Sequence, residues 1–184
     1  MSEFKLHDQA SAPEGSKALL ESSAKAFGMI PGLHAVMAEA PAVLEGYQQL
    51  HRLVMESSFD NEEKTVLWQS INVEHACHYC VPAHTGIAKS MKVSDDVIDA
   101  LRNERPLPNQ RLEALRTFVL QVVRRRGEVS EQELKAFYEA GYGRQQVLEV
   151  VLGVSQKVMS NYINHIAQTP VDEPFRKFAW TKAK

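Results

Sequence analysis

Three observations predict an all-α fold. Apolar residues recur at the spacing of amphipathic helices through almost everything after residue 15. No run of alternating Val, Ile or Thr bounded by turn residues reads as a strand, and Gly, Pro and capping residues punctuate the helical runs. At 184 residues the chain is the size of one ordinary domain with a continuous core, and no second domain is needed.

The first fifteen residues, MSEFKLHDQASAPEG, are expected to form a flexible N-terminal segment, and they lack the apolar stretch of a signal peptide. The domain proper is expected over 16–184. Its first helix runs from Ser16 to Phe27 and stops at Gly28; Pro31 and Gly32 open a short one that ends before Pro41. Pro41 suits the first turn of a third helix, which carries Leu44, Tyr47, Leu50, Leu53 and Val54 towards the core. Asp60 with Glu63 makes a capping-box pattern for the next, which offers Val66, Leu67, Trp68, Ile71 and Val73 for burial and leads straight into the cysteines.

Ser94 caps a short helix whose first turn holds Asp95 and Asp96, at the positive end of its dipole, and Asn103 to Asn109, with Pro106 and Pro108, is a loop. A longer helix spans about Asn109 to Arg126. Ser130 with Glu133 forms a second capping box ahead of Leu134, Phe137 and Tyr138, and Gly141-Tyr142-Gly143 breaks the chain again. The longest helix runs from about Arg144 to Ala167. Val147, Leu148, Val150, Val151, Leu152, Val154, Val158 and Met159 cover most of its circumference, which predicts a central place in the bundle or burial in a subunit interface. A tail from about residue 169 carries Phe175, Phe178 and Trp180, aromatics suited to docking on the body or on a neighbouring subunit.

Composition narrows the function. Lys+Arg (21) nearly balance Asp+Glu (23) for a net charge of −2, so there is no electrostatic footprint for nucleic acid or an anionic membrane. Arg124-Arg125-Arg126 reads as a solvated helix end. No stretch reaches the roughly 18 apolar residues of a membrane span, and a cytoplasmic location is expected. Both cysteines of the chain stand two residues apart, at Cys77 and Cys80; in a reducing compartment such a pair reads as catalytic or metal-binding before it reads as a staple.

Residues 72–86, NVEHACHYCVPAHTG, hold both cysteines and three of the seven histidines, His75, His78 and His84. If a helix begins near Cys77, then Cys77, Cys80 and His84 stand at i, i+3 and i+7 on one face, with Pro82 tolerated near the first turn. A cysteine at a helix N-terminus beside an imidazole has its thiolate stabilised, and the thiolate is the form that attacks peroxide. A second cysteine two residues away can capture the resulting sulfenic acid as a disulfide. His84, four residues after Cys80, is placed to take the thiol proton and later deliver one to the leaving oxygen. Two structural alternatives compete: a buried thiol pair with an incidental histidine, and a zinc site with His75 or His78 as fourth ligand. His165 with Asn161 and Asn164 reads as a satisfied buried network, and His7, His34 and His51 as surface or core residues.

The stretch FDNEEKTVLWQSINVEHACHYCVPAHT resembles the core of the AhpD-like, or carboxymuconolactone decarboxylase-like, superfamily, in particular its peroxidase-related branch. Glu74, His75, Cys77, Tyr79, Cys80, Ala83 and His84 match the branch's motif, and LEVVLGVSQKVMSNYINHIAQTPVD resembles its long C-terminal helix, so the resemblance covers about residues 40 to 180. It implies an AhpD-like helical bundle, homo-oligomeric assembly as a dimer, trimer or hexamer, and peroxidase activity with Cys80 peroxidatic, Cys77 resolving and His84 the proton relay. A thioredoxin-like protein or a lipoyl carrier would supply electrons, and no cofactor or metal is implied. The sequence departs from the pattern upstream, where Thr65 stands at the place of a relay glutamate. Glu63 points about 200° away round an ideal helix, which leaves Glu74 as the better acidic candidate. A lactone decarboxylase or isomerase is the rival enzyme class, and a redox-sensing or zinc-holding module the non-enzymatic one.

Overall fold

The computed structural model describes residues 3–182, all-helical with no strand among them. The elements are α1 (Glu14–Phe27), α2 (Gly32–Met37), α3 (Pro41–Met55), α4 (Asn61–Glu74), α5 (Cys80–Ser90), α6 (Asp95–Arg102), α7 (Gln110–Arg124), α8 (Glu131–Glu139) and α9 (Arg144–Ala167), followed by a 3-10 helix over Glu173–Phe178. The caps explain the boundaries. Asp60 and Ser130 each accept from the backbone N–H three residues on while Glu63 and Glu133 reach back, and Ser94 and Asn109 cap α6 and α7.

Helix α4 lies at the centre and packs against α5, α6, α7 and α9. Every residue from Glu63 to Val73 is buried, including Val66, Leu67, Trp68, Ile71 and Val73. One core joins α4 to α6–α9, with Phe118, Phe137 and Tyr142 stacked at centroid distances of 4.2 and 4.5 Å. A second core gathers Leu20, Leu33, Met37, Leu44 and Tyr47 from α1–α3 around Cys77, Tyr79, Cys80 and Ala83. Where α9 crosses α4 the approach is close enough to demand Gly153, since a Cβ there would lie 2.5 Å from Leu67 Cδ2.

Several expectations are corrected. In the described part of the N-terminal segment His7 N–H donates to Ala35 O at 3.1 Å and the His7 ring meets Glu39 at 2.6 Å, and α1 starts at Glu14, two residues earlier than expected. Leu53 is exposed, because the inward face of α3 is set by Leu44, Tyr47 and Val54. The long helix buries a largely polar stripe, Gln156, Lys157, Ser160, Asn161 and Asn164, while Leu148 and Val151 face outward.

Candidate active site

The two cysteines sit at the junction of α4 and α5. Helix α4 ends in a Schellman turn: Cys77 N–H donates to Asn72 O at 2.9 Å and Ala76 N–H to Val73 O at 3.0 Å, with Ala76 at a left-handed φ of 52°. Helix α5 therefore begins at Cys80, three residues later than expected, yet Cys77 still plays the capping part. Its Sγ accepts from Cys80 N–H at 3.3 Å and its carbonyl from Val81 N–H at 3.1 Å, which satisfies two of the free donors of the first turn. Pro82 falls within that turn, where its missing N–H costs nothing.

Cys80, His84 and Lys157 line a cavity of about 190 Å³ walled by Phe27, Met29, Leu33, Tyr47, Ile87 and Phe175. Cys80 and Cys77 are buried and unbridged. Asn164 Nδ2 donates to Cys80 Sγ at 3.2 Å. Burial pushes the Cys80 thiol up, but the hydrogen bond from Cys77, the nearby Lys157 ammonium and the amides of Asn164 and Asn161 outweigh it and hold it well below the ordinary thiol range. The same hydrogen bond, with burial behind it, pushes Cys77 up. The geometry thus separates two thiols that are chemically identical in the sequence.

His84 is buried, tilted against the Trp68 ring at a centroid distance of 5.0 Å, and its Nε2 lies 3.0 Å from Lys157 Nζ. Burial, then the charges of Lys157 and His51, lower its pKa, so the ring is neutral at ordinary pH. Trp68 is itself held by a 2.8 Å bond from Nε1 to Gln156 Oε1. Behind the thiols an amide network ties α4, α5 and α9 together: Gln69 Nε2 donates to Val81 O at 3.1 Å, Asn72 Nδ2 to Gln69 Oε1 at 3.0 Å, and Asn161 Nδ2 to Asn72 Oδ1 at 3.0 Å.

Glu74 is not brought to this site. It forms a two-pronged ion pair with Arg124, both contacts 2.8 Å, because the last turn of α4 faces α7 there, and that pairing lowers its pKa. Thr65 donates to Asn61 O within its own helix, and Glu63 is consumed in capping α4 and in an ion pair with Arg111. The carboxylate that does line the cavity is Asp172, in the C-terminal tail, which accepts from Tyr79 OH at 2.6 Å and from Gly32 N–H at 3.0 Å. His75 is bonded through Nδ1 to Asn161 Oδ1 at 2.9 Å and His78 through Nε2 to Thr169 O at 3.0 Å, and no group of three or more His, Cys, Asp or Glu among the described residues is arranged to hold a metal ion.

Sequence reasoning missed Lys157, Asp172, His34 and His51 at the cavity wall. Only Lys157 had a legible signal, as one of the polar residues Gln156, Lys157, Ser160, Asn161 and Asn164 at helical spacing, a pattern that ordinarily marks a solvated face. The Asn161 and Asn164 pair is buried there, whereas His165 lies off that face and only half-buried.

These helices and their thiol-bearing junction form an AhpD-like all-α fold. The alkylhydroperoxidase AhpD core, an uncharacterized peroxidase-related protein from Ralstonia eutropha JMP134, superposes with a TM-score of 0.84 at 19% identity, covering 95% of this chain and 94% of that one. An uncharacterized peroxidase-related protein from Silicibacter sp. TM1040 gives 0.80 at 17% identity, covering 94% and 92%. A cysteine-to-alanine variant of the debrominase Bmp8, in complex with 2,3,4-tribromopyrrole, gives 0.77 at 14% identity, covering 96% and 95%. No family model and no curated protein matches the chain.

Proposed function

We propose that the protein is a thiol peroxidase that reduces peroxides through a Cys80–Cys77 disulfide cycle. The observation that carries this reading is the buried Cys80 sulfur in the wall of an apolar cavity, hydrogen-bonded by Cys77 and Asn164 and held below the ordinary thiol range. The Cys80 thiolate attacks the terminal peroxide oxygen, the O–O bond breaks, and the departing alkoxide takes a proton relayed through the His84 ring, which receives one at its other nitrogen, and leaves as the alcohol. Cys80 is then a sulfenic acid. The Cys77 sulfur attacks it, water leaves, and an external dithiol, a thioredoxin-like protein or a lipoyl carrier, reduces the disulfide to two thiols. Glu74 has no part in this scheme.

The test is peroxide consumption with several dithiol donors by wild type, Cys77→Ser and Cys80→Ser. Wild type should turn over and both variants should not; steady turnover by Cys80→Ser would exclude the scheme. A second reading has one observation in its favour, the apolar wall of the cavity together with a volume, about 190 Å³, not far above the roughly 150 Å³ that takes up benzene. The same two thiols would then reductively dehalogenate a small aromatic ring, releasing halide. Halide release from a bromopyrrole without peroxide consumption would favour it.

A further inference from the structure

The peroxidase reading needs a countercharge for the Cys80 thiolate and a proton for the departing oxygen, in a place that water hardly reaches: Cys80 is 2% exposed. Lys157 projects from α9 to this spot and is 0% exposed, yet no carboxylate pairs with it among the described residues. Burial lowers the pKa of such an ammonium, and the negative Cys80 sulfur beside it acts in the opposite direction. Cys77, Cys80, His84 and His51 are the titratable groups that bear on Lys157.

We propose, resting on the peroxidase reading, that Lys157 is a positioning residue and the proton reservoir of the reaction, acting through His84. The argument is one of donors and acceptors. An ammonium has three N–H donors and no acceptor, so across the 3.0 Å contact His84 Nε2 must accept. A neutral imidazole whose Nε2 accepts carries its proton on Nδ1. That atom is buried and without a hydrogen-bond partner among the described residues, in a ring that lines the cavity. Buried donors are nearly always satisfied, and here a substrate oxygen is the missing acceptor.

Charges and protons balance around the cycle. The resting site holds a thiolate and an ammonium. As sulfur bonds to the terminal oxygen and the O–O bond breaks, the alkoxide takes the Nδ1 proton and Lys157 passes one to Nε2. The products are an alcohol, a sulfenic acid, a neutral imidazole and a neutral amine. Cys77 S–H and Cys80 S–OH then condense to the disulfide and water. When the external dithiol has restored both thiols, the Cys80 proton returns by the reverse route, onto Nδ1, with Nε2–H passing to Lys157.

Lys157→Met removes the charge while keeping an unbranched side chain of similar volume. Its fold is checked by helical circular dichroism, and two readouts follow that packing alone would not move. The first is a pH titration of ultraviolet thiolate absorbance, in which the lower midpoint should rise by about one unit or more, while the single-turnover reaction with peroxide slows ~10²–10⁴-fold. The second is nitrogen-15 NMR of wild-type His84, which should show an unprotonated Nε2 and a protonated Nδ1, and it decides the matter even if the variant does not fold. A thiolate midpoint unmoved in Lys157→Met, or a wild-type His84 protonated on Nε2, overturns the proposal. Wild type that shows the expected tautomer and midpoint but ignores peroxide overturns the peroxidase reading instead.

Discussion

Cys77 and Cys80 are interchangeable as letters, and only their surroundings tell them apart. The sequence brings Cys77, Cys80 and His84 into one short segment, and the structure places Cys80 and His84 in one cavity wall with Cys77 behind. Lys157, 73 positions from its partner His84, could not be assigned from the sequence, because a polar stripe on a long helix looks the same whether water or another helix covers it. Glu74 failed for a related reason: adjacency to the cysteines in sequence says nothing about which side of a helix end faces Arg124. His34 and His51 also line the cavity, and burial, aided by His51 and Lys157 respectively, lowers each from 6.5 to about 4. A histidine whose folded pKa is depressed binds its proton more readily when unfolded, so it favours the folded state fully above about pH 6.5 and loses that contribution as pH falls towards 4. Each is worth roughly 3.5 kcal/mol at most, for a drop from 6.5 to about 4 at about 1.4 kcal/mol per pH unit. Urea unfolding should therefore show stability falling steeply between about pH 6.5 and 4, and His34→Gln should flatten part of that slope.

Caps and breakers are local signals, which is why the element boundaries were so legible. Asp60–Glu63, Ser130–Glu133 and the limits of α9 at Arg144 and Ala167 are where the residues predict them. The start of α5 was less so, since the Schellman turn at Ala76 uses a residue with no preference for positive φ. Inter-helix distance is not a local property at all. Gly153 lets α9 press against Leu67 of α4, and Gly153→Ala should destabilise the fold by ~1–3 kcal/mol through overpacking, read as a lowered denaturation midpoint with unchanged helix content. Gly86 plays a similar part under the Phe175 ring, 2.6 Å from where a Cβ would be. Gly86→Ala should displace that ring from the cavity wall and speed alkylation of Cys80 by small reagents; an unchanged rate would show that Phe175 does not shield the thiol.

For the molecule as a whole, helix content and order follow from periodicity, whereas the outward face of α9 is more apolar than a solvated helix face needs to be. Leu148, Val151, Tyr162 and Ile166 are 70%, 47%, 52% and 68% exposed and lie along one stripe at helical spacing. An apolar stripe of this length suits a second copy of the chain, so the mass in solution is expected to be an integer multiple of 20.7 kDa, and Leu148→Glu with Ile166→Glu should shift it towards the monomer in sedimentation equilibrium. No helix among the described residues is long and apolar enough to cross a membrane.

The division of labour between the thiols is the claim on which the rest stands. Trapping of sulfenic acid after a single addition of peroxide, read by mass spectrometry on each single-cysteine variant, tests it most directly. The account predicts rapid trapping at Cys80 in Cys77→Ser and only the background of an ordinary buried thiol in Cys80→Ser. Rapid trapping at Cys77 in Cys80→Ser, with an inert Cys80 in Cys77→Ser, would contradict it.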